Sequence, residues 1–143
     1  MAKFAPPTLA QHLCFSLYST SLKMTQLYKP LLAPLKLTYP QYLVMVVLWQ
    51  QQGLGVKDVA ARLQQDSGSI TPLIKRLEAE GLISRTRDPR DERNLLLDLT
   101  PAGAAMREAG LQISKAIADG CAVTKSEYER MMADLDKLNK KLT

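Results

Sequence analysis

Two cysteines, five tyrosines and a group of arginines are the side chains whose chemistry goes beyond packing. Cys14 lies in "LCFSLYS", four residues before Tyr18, and Cys121 lies in "ADGCAVT" near the opposite end of the chain. That spacing is neither a disulfide framework nor a metal-ligand pattern, so no metal and no cofactor is expected. Cys14 has two readings: a small buried hydrophobe on an amphipathic helix, or a working thiol. The second requires thiolate, stabilised by a cation, a helix start or hydrogen-bond donors. No Lys or Arg stands close to Cys14 in sequence, and His12 points elsewhere around the helix. Tyrosine hydroxyls are the most available donors, helped slightly by a helix start at Thr8. The arginines cluster in "RDPRDERN", which sets Arg87, Arg90 and Arg93 on or beside a turn. An extended arginine there suits the narrow, negatively polarised minor groove of DNA. Asp91, two residues before Arg93, is placed to hold that guanidinium by a charge-assisted bond.

The elements that must position these groups follow from local pattern. Thr8, after the proline-rich "FAPPT", is a plausible N-cap for a first helix. Leu9, Leu13, Leu17, Met24, Leu27 and Leu31 keep to one side of it at about 100° per residue, and it ends near "KPLLAPLK". With Leu13 at the centre of the inward stripe, Cys14 lies about 100° round and Tyr18 about 140°. Both flank the apolar face, where a thiol is partly covered yet open to an apolar peroxide. Thr38 or Tyr39 precedes Pro40 at a second helix start, Gly53 supplies the stop, and the nearly all-apolar interval predicts a central, buried helix. "VKDVAARL" is a short third helix. "SGSITPLIKRLEAEGLI", capped by Asp66 or Ser67 and stopped by Gly81, is a fourth. The two read as a helix-turn-helix, with Pro72 expected to distort its turn. In the second helix of that pair Ser67, Ser69, Thr71, Lys75 and Arg76 are able to meet phosphates or bases.

"LISRTRD" and "NLLLDLT" flank "PRDER" and pair as a hairpin, so the fold class is mostly α with a small β-hairpin: a winged helix. A helix capped by Thr100 with Pro101 at its first position runs to about Gly120, with Met106, Ile113 and Ile117 inward. A last helix from about Ser126 carries Tyr128, Met131, Met132, Leu135, Leu138 and Leu142 at spacings of three and four. The chain is thus one domain over 1–143. Its winged-helix DNA-binding region spans 37–100, and helices over 1–36 and 101–143 serve dimerisation. A winged helix needs only the middle of the chain, so the apolar stripes at both ends require another surface. A two-fold homodimer is the economical cover.

With 143 residues and 46% hydrophobic content, the chain can bury a real core. Its longest strongly apolar run, "YLVMVVLW", is far short of the roughly 18 residues a membrane span needs. No charged-then-apolar leader precedes it, so the cytoplasm is expected, with both cysteines resting as thiols. The net charge of +5 suggests an anionic partner, but its distribution does not locate the contact. Residues 1–56 carry Lys3, Lys23, Lys29 and Lys36 and no acid, whereas 57–94 hold eight basic against seven acidic residues. Spacing does the locating. A solvated helix face and an exposed charged turn would each be ordinary alone. A hairpin tipped with arginine at the expected distance after a helix-turn-helix favours double-stranded DNA. In a dimer the two recognition helices would address half-sites about one helical turn apart, or a multiple of it, on a near-palindromic operator.

The segment "SGSITPLIKRLEAEGLISRTRDPRDERNLLLDLTPAG" resembles the winged helix of the MarR family of bacterial regulators. "LCFSLYS" with "LTYPQYLVMVVLW" is similar to its organic-hydroperoxide-sensing repressors. The resemblance spans nearly the whole chain and implies a dimeric repressor that leaves its operator when a cysteine is oxidised. By position it makes Cys14 the sensing thiol and Tyr28 and Tyr39 the phenols that reach it from the other subunit, with Tyr18 one turn beyond. It makes Cys121 the resolving cysteine of a two-cysteine branch; single-cysteine relatives use a small external thiol instead. Two rivals stand beside it. One is a MarR-like repressor with inert cysteines and a small aromatic ligand in an apolar pocket near Tyr39, Tyr42 and Trp49. The other, a thiol peroxidase, needs a fixed cation beside its thiol and leaves "RDPRDERN" without a task, so an enzyme is not expected.

Overall fold

The computed structural model describes residues 5–142; Lys3 of the basic segment and Phe4 of the proline-rich start lie outside the described residues. Leu9–Gln11 form a separate 3-10 turn, and the long helix α1 spans Leu13–Leu32. Thr8 therefore does not cap the long helix as expected. His12 does, in extended conformation (φ −75°, ψ 121°), its ring Nε2 lying 3.2 Å from the Pro7 carbonyl oxygen. Cys14 becomes the second residue of α1, inside its first turn. After a 3-10 turn over Ala33–Leu35, Lys36 takes a left-handed conformation (φ 56°) where the chain bends by 71° into the next helix.

Helix α2 (Tyr39–Gln50) starts at Thr38, whose hydroxyl accepts the Gln41 N–H while the Gln41 side chain accepts the Thr38 N–H. Seven of its twelve residues are buried, as an all-round apolar helix requires. Strand β1 (Leu54–Gly55), α3 (Val56–Arg62) and α4 (Ser67–Ala79) follow. Asp66 rather than Ser67 caps α4, its carboxylate accepting the Ser69 N–H at 2.8 Å. α4 runs through Pro72 without a break. Pro72 costs the Gly68 carbonyl its helical donor, and the Thr71 hydroxyl donates to the neighbouring Ser67 carbonyl at 2.8 Å.

The hairpin is β2 (Ile83–Asp88) and β3 (Asp91–Leu99), joined by Pro89 and Arg90 alone. The turn is shorter than "PRDER" suggested, because Asp91, Glu92 and Arg93 belong to β3. Antiparallel order β1-β3-β2 places Leu97 opposite both Leu54 and Arg85. Strand β1 was not anticipated; two residues carry no alternation to read. The expected single helix after Thr100 is two, α5 (Pro101–Ala105) and α6 (Arg107–Gly120), with Met106 between. The Gly103 carbonyl near that joint accepts the Trp49 indole N–H at 2.9 Å, drawing on an oxygen a continuous helix would use itself. Helix α7 (Lys125–Lys141) starts one residue early because Thr124 forms a capping box with Glu127.

The core gathers Val44, Met45 and Leu48 of α2, Ile70, Ile74 and Leu77 of α4, Ile83 and Leu97 of the sheet, and Ile113 and Ile117 of α6. Only Leu32 of α1 is buried, and no residue of α7. The stripe of α1 expected to face inward faces outward instead, with Leu13 60% exposed. The core itself closes on bare backbone at two glycines. A Cβ at Gly103 would stand 2.0 Å from the Leu82 carbonyl oxygen, and one at Gly110 would stand 2.3 Å from the Trp49 ring. Gly103→Ala is therefore expected to lower stability by about 1–3 kcal/mol despite alanine's better helix propensity, read as a lower thermal midpoint. An unchanged midpoint would show that α5 moves aside freely.

Candidate nucleic-acid interface and thiol site

On α4 the five predicted contact residues lie on the first turns and the middle. Ser69, Lys75 and Arg76 are exposed, while Ser67 and Thr71 are half-buried. The Ser69 amide already serves the Asp66 cap and the Thr71 hydroxyl the Ser67 carbonyl, so neither of those donors is idle. Arg87, Arg90 and Arg93 are all exposed on the wing. Asp88 accepts the Arg90 N–H at 2.9 Å and closes the two-residue turn. Asp91 accepts from Arg93 three times, from its backbone N–H and Nε at 3.1 Å and from Nη2 at 3.4 Å. Those bonds, the side-chain one first, hold the Asp91 carboxyl below the usual carboxylate range. The guanidinium stays 89% exposed, so it is aimed without being covered.

One interaction here escaped sequence reasoning. Arg85 on β2 donates through Nε and Nη2 to both carboxylate oxygens of Glu78 on α4, each at 2.8 Å. The pairing lowers the Glu78 pKa and raises that of Arg85. The two residues are seven apart across a helix–strand junction, a spacing no helical or strand rule couples.

The sulfur and phenol groups divide into two sets. Cys14 and Tyr18 are exposed at the start of α1. Tyr28 and Tyr39 are half-buried at its far end, their ring centroids 4.7 Å apart, with Tyr42 5.8 Å from Tyr28. Burial pushes the Tyr28 phenol up to about 12, with Tyr39 and Tyr42 adding to it and the nearby Cys121 and Tyr128 contributing further. Burial likewise raises Tyr39, with Tyr42 second. Cys121, at the end of α6, and Tyr28 both pack against the core cluster, while Cys14 is fourteen residues before Tyr28 on α1, about 21 Å away at 1.5 Å rise per residue. A disulfide needs Cα atoms within about 7 Å, so the two cysteines of one chain do not meet in this conformation.

Tyr42 and Trp49 are buried in the core. Their rings lie 6.0 Å apart, and the Tyr42 hydroxyl donates to the Gly110 carbonyl at 2.9 Å and shares a 2.7 Å bond with Ser114. A cavity of about 530 Å³ opens instead between α1 and the start of α2, against Leu22, Lys29, Leu32, Leu37, Tyr39 and Pro40. Among the described residues no cluster of His, Cys, Asp and Glu suited to a metal is found, and no single helix is long and apolar enough to cross a membrane.

The sequence profile of the MarR family matches residues 37–95, the two helices, the wing and α2 before them. An organic hydroperoxide resistance transcriptional regulator of Bacillus subtilis (strain 168) is 47% identical over 111 residues, spanning 78% of this chain and 76% of the relative. The chain belongs to the MarR family. This MarR-family protein is a DNA-binding transcriptional regulator rather than an enzyme, which removes the thiol peroxidase reading. Its structure is similar to that of reduced AbfR bound to DNA, at 32% identity and a TM-score of 0.78 over 94% of each chain. Disulfide-formed AbfR matches less well, with a TM-score of 0.64 at 33% identity over 94% of this chain and 89% of that one. The winged helix with its three-stranded antiparallel wing is the fold of the family.

The buried phenol sets a pH limit. An unfolded tyrosine titrates near 10, so between about 10 and the folded value of about 12 only the folded state keeps the Tyr28 proton. Stability supplied by that difference is whole below pH 10 and lost as pH rises toward 12. Absorbance titration of phenolate should show one group ionising near 12 that is missing in Tyr28→Phe. The same high-titrating group in that variant would refute the assignment.

Proposed function

We propose that this regulator represses transcription as a two-fold dimer and releases its operator when an organic hydroperoxide oxidises Cys14. One observation carries the reading: the thiol lies at the start of α1 and the phenols suited to serve it lie at its far end and at the start of α2, while the apolar sides of α1 and α7 are left bare. Met132 of α7 is 53% exposed and Leu13 of α1 60%, and such contiguous apolar surface marks an interaction site. An isologous pairing of α1 and α7 covers both stripes at once and carries Tyr28 and Tyr39 of one copy to Cys14 of the other. Both phenols carry their protons at physiological pH, as an ordinary tyrosine does, and can donate to sulfur. The likeness to a hydroperoxide resistance regulator at 47% identity supports the same signal.

In the reaction the Cys14 thiolate attacks the terminal oxygen of the hydroperoxide. The O–O bond breaks, the alkoxide leaves as alcohol after taking a proton, and sulfur becomes sulfenic acid. The Cys121 thiol of the second copy then forms the S–S bond and water departs. The long separation of the two cysteines within one chain supports this exchange between copies. The bond draws the start of one α1 toward the end of the other copy's α6, and helices that join two recognition lobes cannot move without changing the lobes' spacing. The DNA-facing residues on this reading are Ser67, Ser69, Thr71, Lys75 and Arg76 of α4, with Arg87, Arg90 and Arg93 of the wing and Asp91 orienting the last. The better match to AbfR bound to DNA, reduced or overoxidized, than to its disulfide form supports taking this conformation as the operator-binding one.

The cavity beside Tyr39 favours a second reading, in which a small aromatic acid rather than oxidation releases DNA. Titrating the operator complex with each compound separates the two. Cumene hydroperoxide is expected to dissolve the gel-shift complex of the native protein and leave that of Cys14→Ser intact; release from Cys14→Ser would sink the proposal. On non-reducing electrophoresis the oxidised protein should run as a covalent dimer that Cys121→Ser abolishes. A covalent dimer surviving in Cys121→Ser would remove that residue from the mechanism.

A further inference from the structure

The wing is a lever, and its root has a lock. Beyond Leu96 the sheet loses β1, whose only pairs are Leu54 with Leu97 and Gly55 with Leu96. From Arg87 and Leu95 outward β2 and β3 form a two-stranded ribbon, an element barely stable by itself. Arg85 to Asp88 is three strand residues, about 10 Å at 3.3–3.4 Å per residue, with the Pro89–Arg90 turn just beyond, so a tilt of about 10° at the root displaces the tip by about 2 Å. That exceeds the whole distance window of a hydrogen bond. The ribbon's own ladder cannot prevent such a tilt, because both strands swing together.

Arg85 lies opposite Leu97 on the Leu54–Leu97–Arg85 rung, the last but one that still has three strands. Its planar fork closes on Glu78 with two equal 2.8 Å bonds, and both side chains are partly exposed, at 28% and 34%. Glu78 sits in the last turn of α4. A bidentate pair fixes orientation as well as distance, which a point charge such as a lysine ammonium does not. The backbone bond from the Leu82 N–H to the Leu77 carbonyl at 3.0 Å and the packing of Leu77 with Ile83 hold the turn and the start of β2, short of the ribbon.

We propose that the Arg85–Glu78 pair is a positioning device that sets the angle of the wing to the recognition helix, so that Arg90 and Arg93 reach DNA only when the lock is closed. This rests on the reading that the wing arginines meet DNA. Arg85 touches no base or phosphate on this account; it acts through the tip.

Affinity for a duplex the protein has itself selected from a random-sequence pool tests it, with thermal midpoints checking that each variant is folded. Arg85→Lys keeps the charge but not the fork and should weaken binding roughly five- to tenfold. In an Arg90→Ala/Arg93→Ala background the same change should have no further effect, since no tip remains to be aimed. Glu78→Gln should also weaken binding, although it removes a negative charge from a DNA-binding lobe. Full additivity of Arg85→Lys with the tip variant, or tighter binding by Glu78→Gln, would mean that Arg85 itself contacts DNA and would overturn the proposal while leaving the wing reading intact. Unchanged affinity in Arg90→Ala/Arg93→Ala would overturn the wing reading and this proposal with it.

Discussion

Two side-chain hydrogen bonds from α2 tie the halves of this molecule into one body. The Tyr42 hydroxyl reaches the Gly110 carbonyl and the Trp49 indole reaches the Gly103 carbonyl, so the most buried helix is fastened to α5 and α6 at two points. Both acceptors belong to glycines that a side chain would crowd, Gly110 against the Trp49 ring and Gly103 against the Leu82 backbone. Buried polar groups require such partners, and here the requirement is met by joining elements 54 and 68 residues apart. A shift imposed on α6 is therefore a shift imposed on α2. Packed interiors rearrange between discrete states rather than bending smoothly, so the displacement passes on to the helix-turn-helix that α2 supports.

The same rigidity explains the division of labour along α1. Its C-terminal end is anchored by Leu32 and by the Tyr28–Tyr39–Tyr42 cluster, while its N-terminal turns, with Cys14 and Tyr18, extend past the chain's own core. On the proposed reading one chain holds half of two different thiol sites, the sulfur of one and the phenols of the other. Sensing and dimerisation are then a single requirement. The DNA side repeats the theme at smaller scale: the arginines that would meet the groove are held at a distance from the core by a ribbon that needs its own brace.

Much of the local architecture was legible in the residues. Thr38 with Gln41, Thr100 with Pro101, and Asp66 before the recognition helix are end signals that act within four positions, and the helices begin at or beside them. The alternation in "LISRTRD" and "NLLLDLT" located the wing for the same reason, because strand pleating couples neighbours two apart. The resemblance to hydroperoxide-sensing repressors named Cys14, Tyr28 and Tyr39, but spacing alone left Cys14 between a buried hydrophobe and a working thiol.

What the sequence determined by itself was the order of elements, their end signals and the arginine-bearing turn, since these depend on contacts between residues a few positions apart. Only the tertiary structure decided that the α1 stripe turns away from its own core, that Cys121 and Tyr28 pack against one core cluster, that Thr8 serves a separate turn, and that Glu78 braces Arg85. Each of these depends on which surface meets which after collapse. An apolar stripe states that it must be covered; the cover itself is chosen by the packing of the whole chain.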